Sequence, residues 1–162
     1  MGPSWGRAIE RINLRVNPLV LELTGKKTPQ EGLEGKFSIY HAVAVALVEG
    51  AGGEKQFSDQ AVRDPTIVAL RDKVVPLVDA NIKPEQVEMT VTLKDGRKFE
   101  KYIQHAIGSL EVPMTDTDLQ TKFADLAEGI LTTQQIHELI DLCWSVEKLS
   151  SAAEIAKSAV PT

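Results

Sequence analysis

Lys36, Tyr40 and His41 are the residues whose types and spacing best suit chemistry in this chain. An ammonium, a phenol and an imidazole near one helix start form a donor set for a carboxylate, and the positive end of the helix dipole adds to the attraction. Tyr40 follows Lys36 at the i, i+4 spacing that shares a helix face, whereas His41 is turned aside. A plainer reading stands beside this one: Tyr40 and His41 as hydrogen-bonded core residues and Lys36 as a solvated cation. Periodicity alone favours the plainer reading.

The remaining polar residues are isolated. His105 with Ala106–Ser109 forms a strand exit that reads as a carboxylate-binding turn or as plain loop. His137 falls on the polar face of a C-terminal helix, and Cys143 on its apolar stripe, where it behaves as a small hydrophobe. Lys26 and Lys27 with Arg15 make a basic patch, either a steering device for an anion or simply solvated. The sequence holds no Gly-rich phosphate loop and no HExxH, CxxC, GxSxG or EF-hand pattern. No metal site is therefore expected.

The elements that position these residues are legible in part. Ile12–Asn17 alternates apolar and polar, as a half-buried strand does, and Pro18 ends it or places it on an edge. The stretch TGKKTPQEGLEG at Thr24–Gly35 reads as a surface loop. The run KFSIYHAVAVALVE at Lys36–Glu49 predicts a helix buried on every face, with Ser38 as its cap and Gly50 as its stop. Ser58 starts a short helix, Asp64-Pro65 starts another, and Val74–Val78 suggests a short strand. Val87–Leu93 alternates, Asp95-Gly96 follows, and Arg97–His105 returns, which predicts a hairpin with a two-residue primed turn. Thr115 and then Thr132 or Thr133 open two amphipathic helices, and Ser150–Thr162 is expected to fray. The fold class that follows is α+β: a small antiparallel sheet with a β-hairpin packed against helices, followed by C-terminal helices.

Composition narrows the partners. The chain has 162 residues, 43% hydrophobic and 25% charged, enough to bury a core without staples. A net charge of -5 argues against a nucleic-acid partner, which asks for a basic face. No apolar run approaches the ~20 residues that cross a bilayer. The start, MGPSWGRA, lacks the apolar stretch of a secretory signal, and the single Cys143 makes no internal disulfide. These features point to a soluble protein of a reducing compartment, cytoplasmic or of the mitochondrial matrix.

Several stretches resemble the C-terminal part of the MmgE/PrpD family. They are VNPLVLELTGKKTPQEGLEGKFSIYHAVAVALVEG, then FSDQAVRDPTIVALRDKV, then VTLKDGRKFEKYIQHAIGSLEVPMTDTDLQTKF. The KFS-x-Tyr motif before an Ala-rich helix, the D-x-x-V helix, the VTLKDG hairpin and the Gly-to-Pro turn before a D-L-x-x-KF helix come in the family's order. The resemblance covers roughly residues 12 to 130. The family includes 2-methylcitrate dehydratase, cis-aconitate decarboxylase and iminodisuccinate epimerase.

The resemblance implies cofactor-free proton abstraction or donation beside a carboxylate of a small di- or tricarboxylate. It implies residues 1–11 as an N-terminal extension, 12–131 as the family's α+β lid, and 132–162 as a C-terminal helical segment. It also implies an active site in the cleft between lid and a large helical domain, with Tyr40 as the catalytic residue and Lys36 and His41 as substrate-binding residues. The family's Lys and His just before the first lid strand have no counterpart in MGPSWGRAIER at Met1–Arg11. The expectation is a lid domain with an incomplete active site, served by a helical partner domain in cis or trans. The alternative is a stand-alone binding or dimerisation module without family catalysis, its apolar surface covered by a second copy.

Overall fold

The computed structural model describes residues 5–161. Those residues form two compact units, one ending at Ala106 and one beginning at Ile107. Of the stretch 1–11, residues 1–4 lie outside the described residues; the rest form a short helix, α1 (Trp5–Ala8), and the start of β1 (Ile9–Val16).

The first unit is a four-stranded sheet with helices on one face. After β1 come α2 (Pro18–Thr24), α3 (Gly32–Gly35), α4 (Ile39–Glu49), α5 (Asp59–Arg63) and α6 (Pro65–Arg71), then β2 (Val74–Val78), β3 (Val87–Leu93) and β4 (Lys98–Ile103). The strand order is β2-β1-β3-β4. β1 pairs antiparallel with β3 and parallel with β2, so the sheet is mixed. The parallel pair arises because a helical crossover, rather than a tight turn, joins β1 to β2. Pro76 sits on β2, an edge strand, where its missing N–H leaves no ladder bond unmade.

Alternation along β1 decides the layers. Ile12, Leu14 and Val16 are at most 1% exposed and meet Ala44 and Val45 of α4 and Ile67 and Leu70 of α6 in one core. Asn13 and Arg15 point to the opposite face, where the Arg15 guanidinium is held at 2.7 Å by both Asp79 and Glu88.

β1 ends at Val16, just ahead of Pro18 as expected, and Pro18 also opens a helix: Asn17 is its N-cap, accepting from the Leu19 N–H, and the proline occupies the first turn, where no N–H is needed. Two local expectations are corrected. The stretch 24–35 contains the helical turn α3. The hairpin turns through three residues: the Leu93 N–H donates to the Arg97 carbonyl at 2.8 Å, the Gly96 N–H to the Leu93 carbonyl at 2.9 Å, and only Gly96 takes a positive φ, of 87°. That is a type I turn closed by a left-handed glycine, which spares Asp95 the positive φ of a primed turn.

The second unit carries α7 (Asp116–Ala127), α8 (Thr133–Trp144) and α9 (Ala153–Ser158). Thr115 and Thr132 cap the first two, each in a reciprocal capping box, with Asp118 and with Gln135. Within the segment expected to fray, Ala153–Ser158 is helical, and Gln135 Nε2 donates to the Val160 carbonyl at 2.8 Å; Thr162 lies outside the described residues. Ile136 and Leu139 are buried, while Val146 and Cys143 at the end of the same stripe are exposed, so Cys143 is not a buried hydrophobe. Among the described residues no helix is long and apolar enough to cross a membrane.

Candidate functional site

Ser38 starts α4 by accepting the His41 N–H at 3.0 Å, and Gly50 stops it in the left-handed conformation with φ 72°. The helix is not buried on every face. His41, Ala44 and Val45 point into the core, Tyr40, Val43 and Leu47 are half-buried, and Ala46 and Glu49 face out. The period of the helix divides an almost uniformly apolar sequence because only one side meets the sheet and α6.

Helix α4 begins at Ile39, so Lys36 lies outside it, at the end of α3. Lys36 and Tyr40 therefore do not share a helix face. Lys36 is exposed, and its Nζ sits 2.9 Å from Glu54 Oε2 and 3.0 Å from Oε1. His41 is completely buried. Its Nε2 donates to the main-chain carbonyl of Gln56 at 2.8 Å, and its ring meets Phe57 edge-on with centroids 5.5 Å apart. A carbonyl oxygen only accepts, so the proton is on Nε2; Nδ1 is buried without a partner.

Two of the three singled-out residues thus converge on one 3-10 turn, Glu54–Phe57. Gln56 braces that turn: its Oε1 accepts the Gly53 N–H at 2.9 Å, and its Nε2 donates to Glu49 at the end of α4 at 2.7 Å. Gly32 lies against the turn so closely that a Cβ there would overlap the Phe57 carbonyl oxygen. Tyr40 stands apart. Its ring packs at the border of the core, and its hydroxyl makes no hydrogen bond among the described residues. The arrangement holds one cation and one buried imidazole on a common scaffold and leaves one phenol uncommitted. A phenol of that kind can donate to a carboxylate or pass a proton, and a cation released from Glu54 can pair with an anion.

The other candidates are placed as follows. Arg15 and Lys26 are each neutralised by carboxylates, Lys26 by Glu34 at 2.6 Å, so the basic patch carries little net charge. Lys26 and the Gln30 N–H hold the Glu34 carboxyl below its ordinary value. His137 is exposed. Among the described residues no group of three or more His, Cys, Asp or Glu gathers to hold a metal ion. The turn Glu54–Phe57 carries no motif of its own; the Gly-rich stretch before it and Ser58 after it signal that the chain folds back there.

The model of the MmgE/PrpD C-terminal domain matches residues 5–146. The chain is 25% identical over 153 residues to a cis-aconitate decarboxylase of Mus musculus, covering 92% of this chain and 31% of that protein. It is likewise 25% identical over 153 residues to a cis-aconitate decarboxylase of Homo sapiens, covering 90% of this chain and 31% of that protein. The chain spans about a third of the length of these relatives. The match extends beyond both ends of the stretch carrying the family motifs, and the chain belongs to the MmgE/PrpD family, as its C-terminal domain.

Proposed function

We propose that this domain forms one wall of a lyase or isomerase site for a small di- or tricarboxylate, where a proton leaves or arrives beside a carboxylate. In this reading Tyr40 is the acid–base residue and Lys36 binds a substrate carboxylate. The observation that carries it is the uncommitted Tyr40 hydroxyl on the first turn of α4, together with Lys36, two residues before the Ser38 cap and held only by an exposed ion pair to Glu54. An exposed pair of this kind is worth little, so an incoming carboxylate can take the place of Glu54 at small expense. His41 is buried and acts by fixing the turn that holds Glu54, not by direct contact with the ligand. The relatives named for cis-aconitate decarboxylation support the substrate class. The helical part of the enzyme supplies the groups this chain lacks, in cis or in trans.

The test is turnover of cis-aconitate by this domain together with a family helical domain, with and without Tyr40→Phe. The expected loss is about a hundredfold or more, with the unfolding midpoint nearly unchanged. Parallel loss of stability and turnover contradicts the role given to Tyr40. Full turnover in the variant contradicts it outright.

A further inference from the structure

We propose that the groove between α4 and the β3–β4 hairpin binds a monocarboxylate with an alkyl tail, its carboxylate on Lys101 and its tail among the apolar walls. This site is separate from the one given to Lys36 and Tyr40, whose ligand is a short di- or tricarboxylate. Leu47, the α4 residue in the groove, stands two helical turns, about 10 Å, along the helix from Tyr40.

The groove exists because the helical layer is narrower than the sheet. The core joins α4 and α6 to β1, β2 and β3 and includes no residue of β4. All six residues of β4 are exposed, Phe99 among them at 57%. What remains beside α4 is a groove of about 430 Å³, walled by Leu47, Met89, Val91, Leu93 and Phe99. That volume falls within the roughly 300–1,000 Å³ of small-molecule sites. Walls of this composition accept an alkyl chain and give a polyanion no partner.

The rim supplies the charge, and it does so at one end. Phe99 stands opposite Val91 and Lys101 opposite Met89, so the lysine shares the groove face with the ring. No carboxylate of the described residues pairs with Lys101. Glu100 also borders the groove, but alternation turns its side chain to the other face, opposite Thr90. Arg97 borders the groove at the hairpin turn, where Asp95 already neutralises it at 2.8 Å. An unpaired cation thus marks the Lys101 end, and the Arg97 end offers an anion little. The strand between them spans about 13 Å, comparable to an extended chain of roughly eight to ten carbons.

Octanoate is the probe, titrated into the 162-residue chain by calorimetry and amide NMR, with 1-octanol as the uncharged control. Saturable binding of octanoate is expected by about 1 mM, with shifts at Leu47 and along β3 and β4. Lys101→Met keeps the alkyl stem and is expected to weaken octanoate about fivefold while leaving 1-octanol unchanged. Phe99→Ala is expected to weaken both about tenfold, and Arg97→Gln to change neither by more than about twofold. cis-Aconitate, which has no alkyl tail, is expected not to displace octanoate. These side chains are exposed, and circular dichroism confirms that each variant is folded. Failure to saturate by about 10 mM overturns the proposal. So do equal losses for octanoate and 1-octanol in Lys101→Met, displacement by cis-aconitate, and a self-association that covers Phe99 and excludes octanoate.

Discussion

The imidazole of His41, fully buried in α4, donates from Nε2 to the main-chain carbonyl of Gln56 at 2.8 Å. That bond ties the core helix to the turn whose Glu54 pairs with Lys36. The candidate site is thus built on a loop-like turn, but the turn is anchored from below by a core residue.

His41→Phe keeps the ring volume and the edge-on packing on Phe57 but leaves the Gln56 carbonyl unpaired. The expected destabilisation is about 1–3 kcal/mol, read by urea unfolding. A neutral substitution contradicts the anchoring role.

Glu54→Gln and Lys36→Met separate the ion pair from the ligand role. Both side chains are about half exposed, so either change moves stability by less than about 1 kcal/mol. Their effects on cis-aconitate affinity are opposite in sign: Lys36→Met weakens binding, and Glu54→Gln strengthens it by freeing the lysine. Calorimetric titration of both variants checks this, and equal effects on affinity contradict it.

Gly32→Ala drives a Cβ into the Phe57 carbonyl oxygen and strains the Gly32 N–H bond to Asp59 Oδ1, now 2.7 Å. The expected cost is about 1–3 kcal/mol, with chemical-shift changes at Glu54–Phe57. A variant as stable as the parent shows that the turn yields freely.

Acid stability follows from the opposite sheet face. The Asn81 N–H and then the Arg15 guanidinium hold the Asp79 carboxyl below its ordinary 3.8. A carboxyl depressed by folding contributes stability that is complete above its unfolded value and is lost as pH falls through the lower folded value. Stability therefore declines below about pH 4, and Asp79→Asn flattens that part of the curve. Thermal unfolding from neutral pH down to acid checks it; an unchanged acid limb in the variant contradicts the assignment.

Legibility in the sequence followed the range of the interactions. The Ser38, Ser58, Asp64, Thr115 and Thr132 caps and the β3–β4 hairpin rest on contacts a few residues apart, and the structure has each of them. The parallel partner of β1 lies some sixty residues away, as Ile12 opposite Val74, and no local pattern encodes it. Asn17-Pro18 is a readable helix start, a capping side chain followed by proline at the first helical position, and the same proline also ends β1. At the site, the i, i+4 relation between Lys36 and Tyr40 failed because Ser38 caps the helix between them. That cap was itself visible, so the two readings of the same segment were in conflict. The inward side of α4 was not: an unbroken Ala/Val run has no polar stripe to reveal that His41 faces in and Ala46 faces out.

The most direct test of the central claim is an amide NMR titration of the 162-residue chain with cis-aconitate. The account predicts saturable shifts clustered on Lys36–His41 and on Glu54–Phe57, lost in Lys36→Met. No shifts at millimolar ligand, or shifts that leave both segments untouched, contradict a carboxylate site on this domain.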